Sequence, residues 1–500
     1  MAFDSRPVLF NRGAAWVRPS VAVAAMTSIL LCACSLAPRY ERPDASVAPA
    51  YPQGAAYGDQ PAATDSSPPA AGDIGWRAFL TDPRLQQLVQ IALENNRDLR
   101  VAVLHVQELQ AQFRIQSAAL FPQISAVADE SRARTPAGVS RSGQAETLGS
   151  YSVGLSLGWE LDLFGRLRSL RGAALEQYFA SMEGRKAAEI LLISQVADQY
   201  LTMLASDELL DVTDRTVDTA RGSYNIVKLQ FDNGAGSELN LRQAETIVEQ
   251  AQANRAAQLR ARAQAENGLV LLLGQPLPTE MQTGMRLREQ KILEDIPAGL
   301  PSELLTRRPD VLQAEALLRS ANADIGAARA EFFPNIQLTA SAGTASAALS
   351  GLFKAGSAAW SVAPSIATPL FNAGANRANL DAARASEQIS VAQYQKTIQT
   401  AFREVADGLA ARGTFNDQIA SLERFTAAER RRLELAQLLY KNGLASYLDV
   451  LTAQTDLYNA ELVLVSARLQ RLTNLVDLYR ALGGGWLEHT GDRPRPGNAS

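Results

Sequence analysis

The clearest hydrophobic pattern in the chain is a strict alternation over residues 151–162. Apolar side chains occupy the odd positions, and small or polar ones occupy the even positions, in the segment YSVGLSLGWELD. This period of two predicts a β-strand with one apolar and one polar face. Phe164-Gly165 ends the alternation, and the next proline is Pro276, after a stretch rich in Ala, Leu, Glu and Arg. The pattern therefore predicts a strand that leads directly into a very long helix.

Two long stretches of the chain repeat the same order of elements. Phe121-Pro122 matches Phe333-Pro334, and Asn233-Gly234 matches Asn442-Gly443, each pair about 210 residues apart. A period this long indicates one large unit duplicated once. Repeat one (76–295) is predicted to contain helices, strands 123–131 and 149–163, a long helix 166–222 and a helix 235–273. Repeat two (296–484) is predicted to contain a helix 310–331, strands 335–343 and 359–371, a long helix 374–441 and a helix 444–481.

The predicted helices are longer than a compact soluble domain requires. Residues 374–441 contain no proline, and one continuous helix of this length would extend roughly 100 Å. From Leu448 to Tyr479, mostly apolar side chains are spaced alternately three and four residues apart, which is typical of a coiled coil. We therefore predict paired long helices joined at Asn442-Gly443, where glycine permits a tight turn.

The N-terminal residues have the layout of an exported lipoprotein. A segment with three arginines precedes an apolar run, 21–31, that is too short to span a bilayer. The only cysteines are Cys32 and Cys34, and Cys34 follows the small residue Ala33, as in a bacterial lipoprotein box. We predict a lipoprotein signal peptide over 1–33 and a lipid on Cys34, with ordinary cleavage and a free cysteine as the alternative. Residues 34–75 are predicted to be an extended, proline-rich segment, and 485–500 a flexible tail.

Composition and motifs give little indication of catalysis. The net charge of -4 gives no sign of nucleic-acid binding. Gly154-Leu155-Ser156-Leu157-Gly158 has the spelling of a hydrolase nucleophile elbow, but it lies inside a continuing strand pattern rather than at a strand-to-helix turn. His105 and His489 are the only histidines and are far apart in sequence. We therefore predict no catalytic site, no metal site and no cofactor apart from the lipid.

Four amphipathic strands of about ten residues are long enough to cross an outer membrane, but too few to close a barrel. Unpaired backbone groups in hydrocarbon cost several kcal/mol each, so an open sheet edge is excluded there. Three chains that contribute four strands apiece would solve this problem; a soluble sheet packed on helices is the alternative. In a barrel, the small and polar side chains would line the lumen: Ser152, Gly154, Ser156, Gly158 and Glu160.

Several motifs together resemble the outer-membrane factor family of tripartite efflux pumps, the TolC-like channels, in its OprM/NodT lipoprotein branch. The matching segments are Cys34-Ser35-Leu36-Ala37-Pro38, Trp159 to Gly165, Arg307-Arg308-Pro309-Asp310, and Gly443 with Asp449-Val450-Leu451. The resemblance implies a homotrimer whose twelve-stranded membrane β-barrel continues into an α-helical coiled-coil barrel in the periplasm. It implies a passive exit duct in the outer membrane for small molecules such as antibiotics.

The resemblance also implies partners and functional residues. A periplasmic membrane-fusion adaptor would contact the helix hairpin tips, and an inner-membrane pump, of RND type, would supply energy. The tip residues are Asn233, Gly234, Ser237, Asn442, Gly443 and Ser446, and the pore-gate residues are Leu448, Asp449 and Tyr440. Thr452 and Thr455 replace an Asp and an Arg of OprM-like members, so the gate is expected to depend on Leu448 packing and Tyr440 hydrogen bonds. A duct for type I secretion, or a periplasmic coiled-coil lipoprotein without a pore, are the alternatives.

Overall fold

The structure is a computed structural model that describes residues 36–45, 47–57, 71–293 and 301–492. The predicted signal peptide and Cys34 lie outside the described residues. The chain divides into two compact units. The sheet unit comprises Gln112–Leu175, Arg319–Glu387 and the described residues up to Tyr40. The helical unit comprises Glu41–Ala111, Glu176–Leu318 and the described residues from Gln388 onward.

Long helices and four strands make up most of the described chain. The helices are α1 (Trp76–Phe79), α2 (Pro83–Asn95), α3 (Arg97–Ala118), α4 (Arg166–Asp232), α5 (Glu238–Leu273), α6 (Pro301–Arg307), α7 (Pro309–Ala330), α8 (Ala375–Lys441) and α9 (Tyr447–Ala481). The strands are β1 (Gln123–Thr135), β2 (Glu146–Glu160), β3 (Asn335–Ser346) and β4 (Ala358–Ala367). Short 3-10 turns occur at Ala71–Asp73, Leu287–Glu289 and Leu349–Gly351.

The four strands form one antiparallel sheet in the order β1-β2-β3-β4. All four predicted strand ends differ from the structure. β1 ends at Thr135 rather than 131 and β3 at Ser346 rather than 343, β2 begins at Glu146 rather than 149, and β2 and β4 end earlier than predicted. β2 ends at Glu160 rather than 163 because the Asp162 carboxylate accepts hydrogen bonds from the Leu167 and Arg168 amides, at 3.2 and 2.9 Å, and caps α4. β4 ends at Ala367 rather than 371. Pro369 follows two residues later; Pro364 lies within β4, so a missing amide hydrogen does not by itself end this edge strand.

Helix α4 continues beyond its predicted end at residue 222. It is 67 residues long and reaches Asp232, with Gly222 inside it. A glycine within a helix costs only about 1 kcal/mol relative to alanine. Val227, five residues later, is 1% exposed and packs in an apolar cluster with residues of α5, α8 and α9. Burial of this last part of the helix stabilises it more than the glycine destabilises it.

The C-terminal segment is not flexible over 485–492, contrary to the prediction for 485–500. The Trp76 amide donates to Leu487 O at 2.8 Å, and the guanidinium of Arg77 donates to the Glu488 carboxylate at 2.8 Å. Leu487 is buried. These contacts bind Leu487 and Glu488 to α1, so burial and backbone hydrogen bonds hold this part of the segment in place. Residues 493–500 lie outside the described residues.

Arg308, in the Arg-Arg-Pro-Asp motif, connects three helices within the helical unit. Its side chain is almost fully buried, and its Nη1 donates to Ala481 O, at the end of α9, at 3.0 Å. Its Nη2 lies 2.6 Å from the Asp310 carboxylate in α7 and 2.8 Å from Glu404 in α8. Two carboxylates and a carbonyl offset the free-energy cost of removing the Arg308 guanidinium from water. The motif therefore has a structural role here.

Candidate functional sites

The strand register places the small and polar side chains on one face of the sheet. Directly opposed residues of an antiparallel pair point to the same side. Ser156 opposes Ser125 of β1 and Ser341 of β3, and Ser341 opposes Ser361 of β4. The Oγ atoms of Ser341 and Ser361 lie 2.8 Å apart. We call this side the small-residue face; among its members are the predicted lumen residues Ser152, Gly154, Ser156, Gly158 and Glu160.

The other side of the sheet, the apolar face, carries large hydrophobic side chains on every strand. Leu155 opposes Ala126 of β1 and Ala342 of β3, which in turn opposes Trp360. Exposed apolar side chains on this face include Ile124, Leu155, Trp360, Val362 and Ile366. Trp360 is 79% exposed in the single chain. An apolar patch of this extent indicates a surface that contacts lipid or another protein.

Glu160 differs from the other predicted lumen residues. It lies on the small-residue face through its pairing with Gln337. Its two carboxylate oxygens accept hydrogen bonds from Nε and Nη2 of Arg166, at 3.0 and 2.8 Å. Glu160 is therefore part of a bidentate ion pair where β2 leads into α4, and its negative charge is balanced within the chain.

A glycine pair that the sequence did not single out lies in the middle of the small-residue face. Gly154 of β2 directly opposes Gly343 of β3. A Cβ placed on Gly154 would lie 2.6 Å from Ala342 O and 2.9 Å from Gly343 Cα. Both are backbone atoms, which cannot rotate away as a side chain could. The close approach of β2 and β3 therefore requires glycine at these positions.

The two hairpin tips have the same hydrogen-bond pattern. Asn233 Nδ2 donates to Leu229 O at 2.7 Å, and Asn442 Nδ2 donates to Leu438 O at 2.8 Å. The glycines that follow, Gly234 and Gly443, both have a φ of 73°, in the left-handed region that favours glycine. The serines at the predicted tip positions, Ser237 and Ser446, are the N-caps of α5 and α9.

Tyr440 connects the two hairpins. Its hydroxyl donates to Gln230 Oε1 at 2.7 Å, across 210 residues of sequence. Tyr440 also packs against the apolar cluster above the tips, where its ring centroid lies 5.2 Å from that of Tyr447. Tyr447 is buried, and its hydroxyl has no hydrogen-bond partner among the described residues. The structure identifies Gln230 as the hydrogen-bond partner of the Tyr440 hydroxyl, and the gate role of Tyr440 remains a prediction.

The other predicted gate residues lie in the first turns of α9. Leu448 is 57% exposed in the single chain. Asp449 is exposed but not free, because its carboxylate accepts from the Ser446 amide at 3.0 Å and from the Ser446 hydroxyl at 2.8 Å. This capping box stabilises the start of α9. The Thr452 and Thr455 hydroxyls donate to carbonyls of their own helix, those of Leu448 and Leu451.

Asp198 of α4 is a half-buried residue in the helical unit, and its carboxylate oxygen Oδ1 is buried. Burial, with a smaller contribution from Asp477, raises the pKa of Asp198 to about 7 against the opposing effect of Arg480. Its Oδ1 has no hydrogen-bond partner in the described part of the chain. The folded protein therefore favours the protonated form, and the resulting stability is present in acid and lost as the pH rises through about 7.

We expect Asp198→Asn to stabilise the protein in a pH-dependent way. Because asparagine cannot ionise, the gain should be on the order of 2 kcal/mol at alkaline pH and much smaller in acid. Thermal unfolding measured across this pH range tests it. Asp211→Asn is the matched control, since Asp211 is an exposed residue of the same helix paired with Arg215. An equal shift at both ends of the pH range would contradict the assignment.

The residues considered for other chemistry are not brought together. His105 lies 3.3 Å from Glu108 and His489 lies 3.5 Å from Asp492, both in exposed positions. No group of three His, Cys, Asp or Glu side chains suited to a metal ion occurs among the described residues. Ser156 of the Gly-Leu-Ser-Leu-Gly motif lies in the middle of β2, without the turn that a nucleophile elbow needs. None of the helices in the described ranges is long and apolar enough to span a bilayer.

Comparison with known proteins gives one consistent result. The family model described as outer membrane efflux protein matches residues 88–275 and 300–484. The chain is 45% identical over 468 residues to the probable efflux pump outer membrane protein TtgC of Pseudomonas putida, covering 93% of this chain and 96% of the relative. It is 44% identical over 473 residues to the outer membrane protein OprJ of Pseudomonas aeruginosa, covering 94% and 97%. The crystal structure of the open state of the MtrE outer membrane channel of Neisseria gonorrhoeae matches with a TM-score of 0.81 at 40% identity, covering 92% of this chain and 100% of that one.

Proposed function

The chain belongs to the outer membrane efflux protein family, and on that basis we propose that it is the outer-membrane exit duct of a tripartite efflux system. In this role it passes small molecules, including antibiotics and other toxic compounds, from a pump to the exterior. The four-stranded sheet is the observation that best supports this proposal. It combines a continuous apolar face, a face of small and polar residues, and two unpaired edges within a single chain.

The two edges support assembly as a homotrimer. Among the described residues, β1 and β4 each have a neighbouring strand on one side only. In hydrocarbon the unpaired edges must find partners, so β4 of one chain pairs with β1 of the next. Three chains close a barrel of twelve strands, with the apolar face toward lipid and the small-residue face toward a water-filled lumen.

The element lengths support the duplication. The helices before the strand pairs, α3 and α7, both have 22 residues, and those after them, α4 and α8, both have 67. The returning helices α5 and α9 have 36 and 35 residues. In this assembly each chain supplies two equivalent hairpins to a helical tunnel, and the six tips of the trimer contact the periplasmic adaptor, which links the duct to an inner-membrane pump of RND type.

The N-terminal residues of the sheet unit support a lipid anchor on Cys34. Arg329 Nη1 donates to Leu36 O at 3.1 Å, and Asn322 Nδ2 donates to Pro38 O at 3.0 Å. Both donors are on α7, which ends shortly before β3 begins at Asn335. Cys34 precedes Leu36 by two residues, a reach of at most about 7 Å. A lipid on Cys34 would enter the membrane at the helix side of the strands, so this side is periplasmic and the two strand loops are extracellular.

Asp449 gives the proposed pore a testable electrical property. Three symmetry-related carboxylates at a constriction favour cations. We expect Asp449→Asn, which keeps an oxygen for the capping box, to lower the cation-to-anion permeability ratio several-fold. Reversal potentials in a salt gradient measure this ratio. The matched control is Asp456→Asn on the same helix, because Arg432 already balances Asp456 at 2.7 Å. Equal ratios for wild type and Asp449→Asn would exclude Asp449 from the constriction.

Drug sensitivity tests the proposed function in cells. A deletion strain should become more sensitive to some antibiotics, dyes or detergents, and the full chain should restore resistance. If deletion changes no sensitivity but abolishes export of a peptide or protein, the alternative of a type I secretion duct is correct. If deletion affects neither, the third alternative, a periplasmic coiled-coil lipoprotein without a pore, is favoured.

A further inference from the structure

At the end of the sheet where a loop joins β1 to β2, both faces carry charged side chains. Asp129 opposes Ser152 and Glu146 opposes Thr135, which places both acids on the small-residue face. Arg132 opposes Gly149 and Arg134 opposes Thr147, which places both arginines on the apolar face. The Glu146 carboxylate accepts a hydrogen bond from the Ser140 hydroxyl at 3.1 Å. This end of the sheet therefore has two acids on the small-residue face, and two arginines with one acid, Glu130, on the apolar face.

The arginines come directly after the apolar part of their face. Apolar or small side chains occupy this face of β3 from Ile336 to Thr344, a rise of about 27 Å along the strand. With a strand tilt of roughly 40°, this corresponds to a band about 20 Å tall, close to the lipid-facing band of outer-membrane barrels. Toward the loop that joins β1 and β2, the next position on this face after Val153 is Tyr151. Beyond it lie Arg132 and Arg134 of β1.

The two guanidinium groups have few partners within the chain. Arg132 is 68% exposed; its Nη2 donates to the Tyr151 hydroxyl at 2.9 Å, and its Nε lies 3.3 Å from the exposed Glu130 carboxylate. Arg134 is exposed and has no ion-pair partner within the described ranges. Glu130 balances one of the two charges. One positive charge therefore remains in excess on this exposed part of the apolar face.

We propose that Arg132 and Arg134, with the Tyr151 hydroxyl, form a binding site for the phosphate group of a lipid in the outer leaflet. The orientation rests on the proposed function, which places the strand loops outside the cell. Guanidinium groups bind phosphate through paired hydrogen bonds. The acyl chains of the same lipid would lie against Val153, Leu155 and Trp360 below. A phosphate that is free in solution could use the arginines, but it would gain nothing from this apolar surface.

Lipid retention by the full-length trimer tests the site. We would reconstitute it in phosphatidylcholine nanodiscs with a minor fraction of bis-phosphorylated lipid A, and quantify bound lipid A by native mass spectrometry. The variant Arg132→Gln/Arg134→Gln should retain roughly tenfold less lipid A than wild type. Arg141→Gln, which removes a positive charge from the connecting loop, should retain as much as wild type. Millimolar inorganic phosphate should not displace the lipid.

Two results would overturn the proposal. One is equal lipid A retention by wild type and the double variant; the other is complete displacement by inorganic phosphate, which would indicate a site for a free anion. Conductance of the same preparations separates this test from the proposed function. Arginine-dependent lipid retention in a trimer that never conducts would count against the channel, whereas a conducting trimer with arginine-independent retention would count against the lipid site.

Discussion

Gly154→Ala should prevent or strongly weaken assembly of the proposed trimer, although it adds only one methyl group. The new Cβ would lie 2.6 Å from Ala342 O, well inside van der Waals contact. The strands β2 and β3 would have to separate, which breaks ladder hydrogen bonds in the middle of the sheet. Overpacking of this kind costs about 1–3 kcal/mol per site, and a trimer contains three sites. We expect a large fall in the temperature at which the trimer dissociates on a semi-native gel, and no trimer for Gly154→Val.

Gly158→Ala is the matched control for this prediction. Gly158 lies on the same strand and the same face, and a Cβ placed there has no neighbour within 4 Å. Its trimer should dissociate at the wild-type temperature. Equal losses for Gly154→Ala and Gly158→Ala would mean that glycine content, rather than the contact between β2 and β3, limits assembly.

Tyr440→Phe should shift the resting duct toward the open state. The change removes the hydrogen bond to Gln230 and leaves the ring in its apolar cluster. A hydrogen bond of this kind contributes about 1 kcal/mol net, so three in a trimer contribute about 3 kcal/mol, or roughly 100-fold in the equilibrium between closed and open states if all three must break. Open probability in single-channel recordings, and entry of large antibiotics in cells, both measure the effect.

Tyr447→Phe provides the control for Tyr440→Phe. Tyr447 belongs to the same cluster, but its buried hydroxyl has no hydrogen-bond partner in the described part of the chain. Loss of the Tyr447 hydroxyl should therefore not raise the open probability. If both variants opened the duct equally, ring packing rather than the link between the hairpins would hold the closed state.

The alternation of side chains in the sequence predicts the sheet well, because the two-residue period of a strand is a local property. It predicts β2 and assigns Ser152, Gly154, Ser156 and Gly158 to one face, whereas the polar segment that forms β1 shows no such strict alternation. The ends are less predictable, since they depend on specific contacts. The Asp162 carboxylate caps α4 and removes this residue from the ladder, a competition that periodicity does not reveal.

The errors at the end of α4 and in the C-terminal segment have a tertiary cause. A glycine at position 222 and a run of glycines near 483 both favour a break or a free end when the sequence is considered locally. In the structure, Val227 is buried beyond the first glycine, and Leu487 is buried beyond the others. The sequence contains these apolar residues, but only the fold shows which surfaces they contact.

Contacts between distant parts of the chain limit what the sequence reveals about the functional sites. Gly343 becomes informative only once it is known to oppose Gly154, and Gln230 only once Tyr440 is known to reach it. The proposed duplication offers a partial signal for the second case, because Tyr440 occupies the position in the second proposed repeat that Phe231 occupies in the first. Tyrosine has a hydroxyl that phenylalanine lacks. Its presence in just one of the two repeats indicates a hydrogen bond that the other repeat cannot make.

Single-channel recording in planar bilayers tests the central proposal, a trimeric duct through the outer membrane, most directly. The purified wild-type trimer should be mostly closed, and Tyr440→Phe, or joint replacement of Leu448 and Asp449 by alanine, should produce discrete conductance steps of one uniform size. A stable trimer that remains non-conducting with all of these replacements would contradict the proposal and favour a structural lipoprotein without a pore.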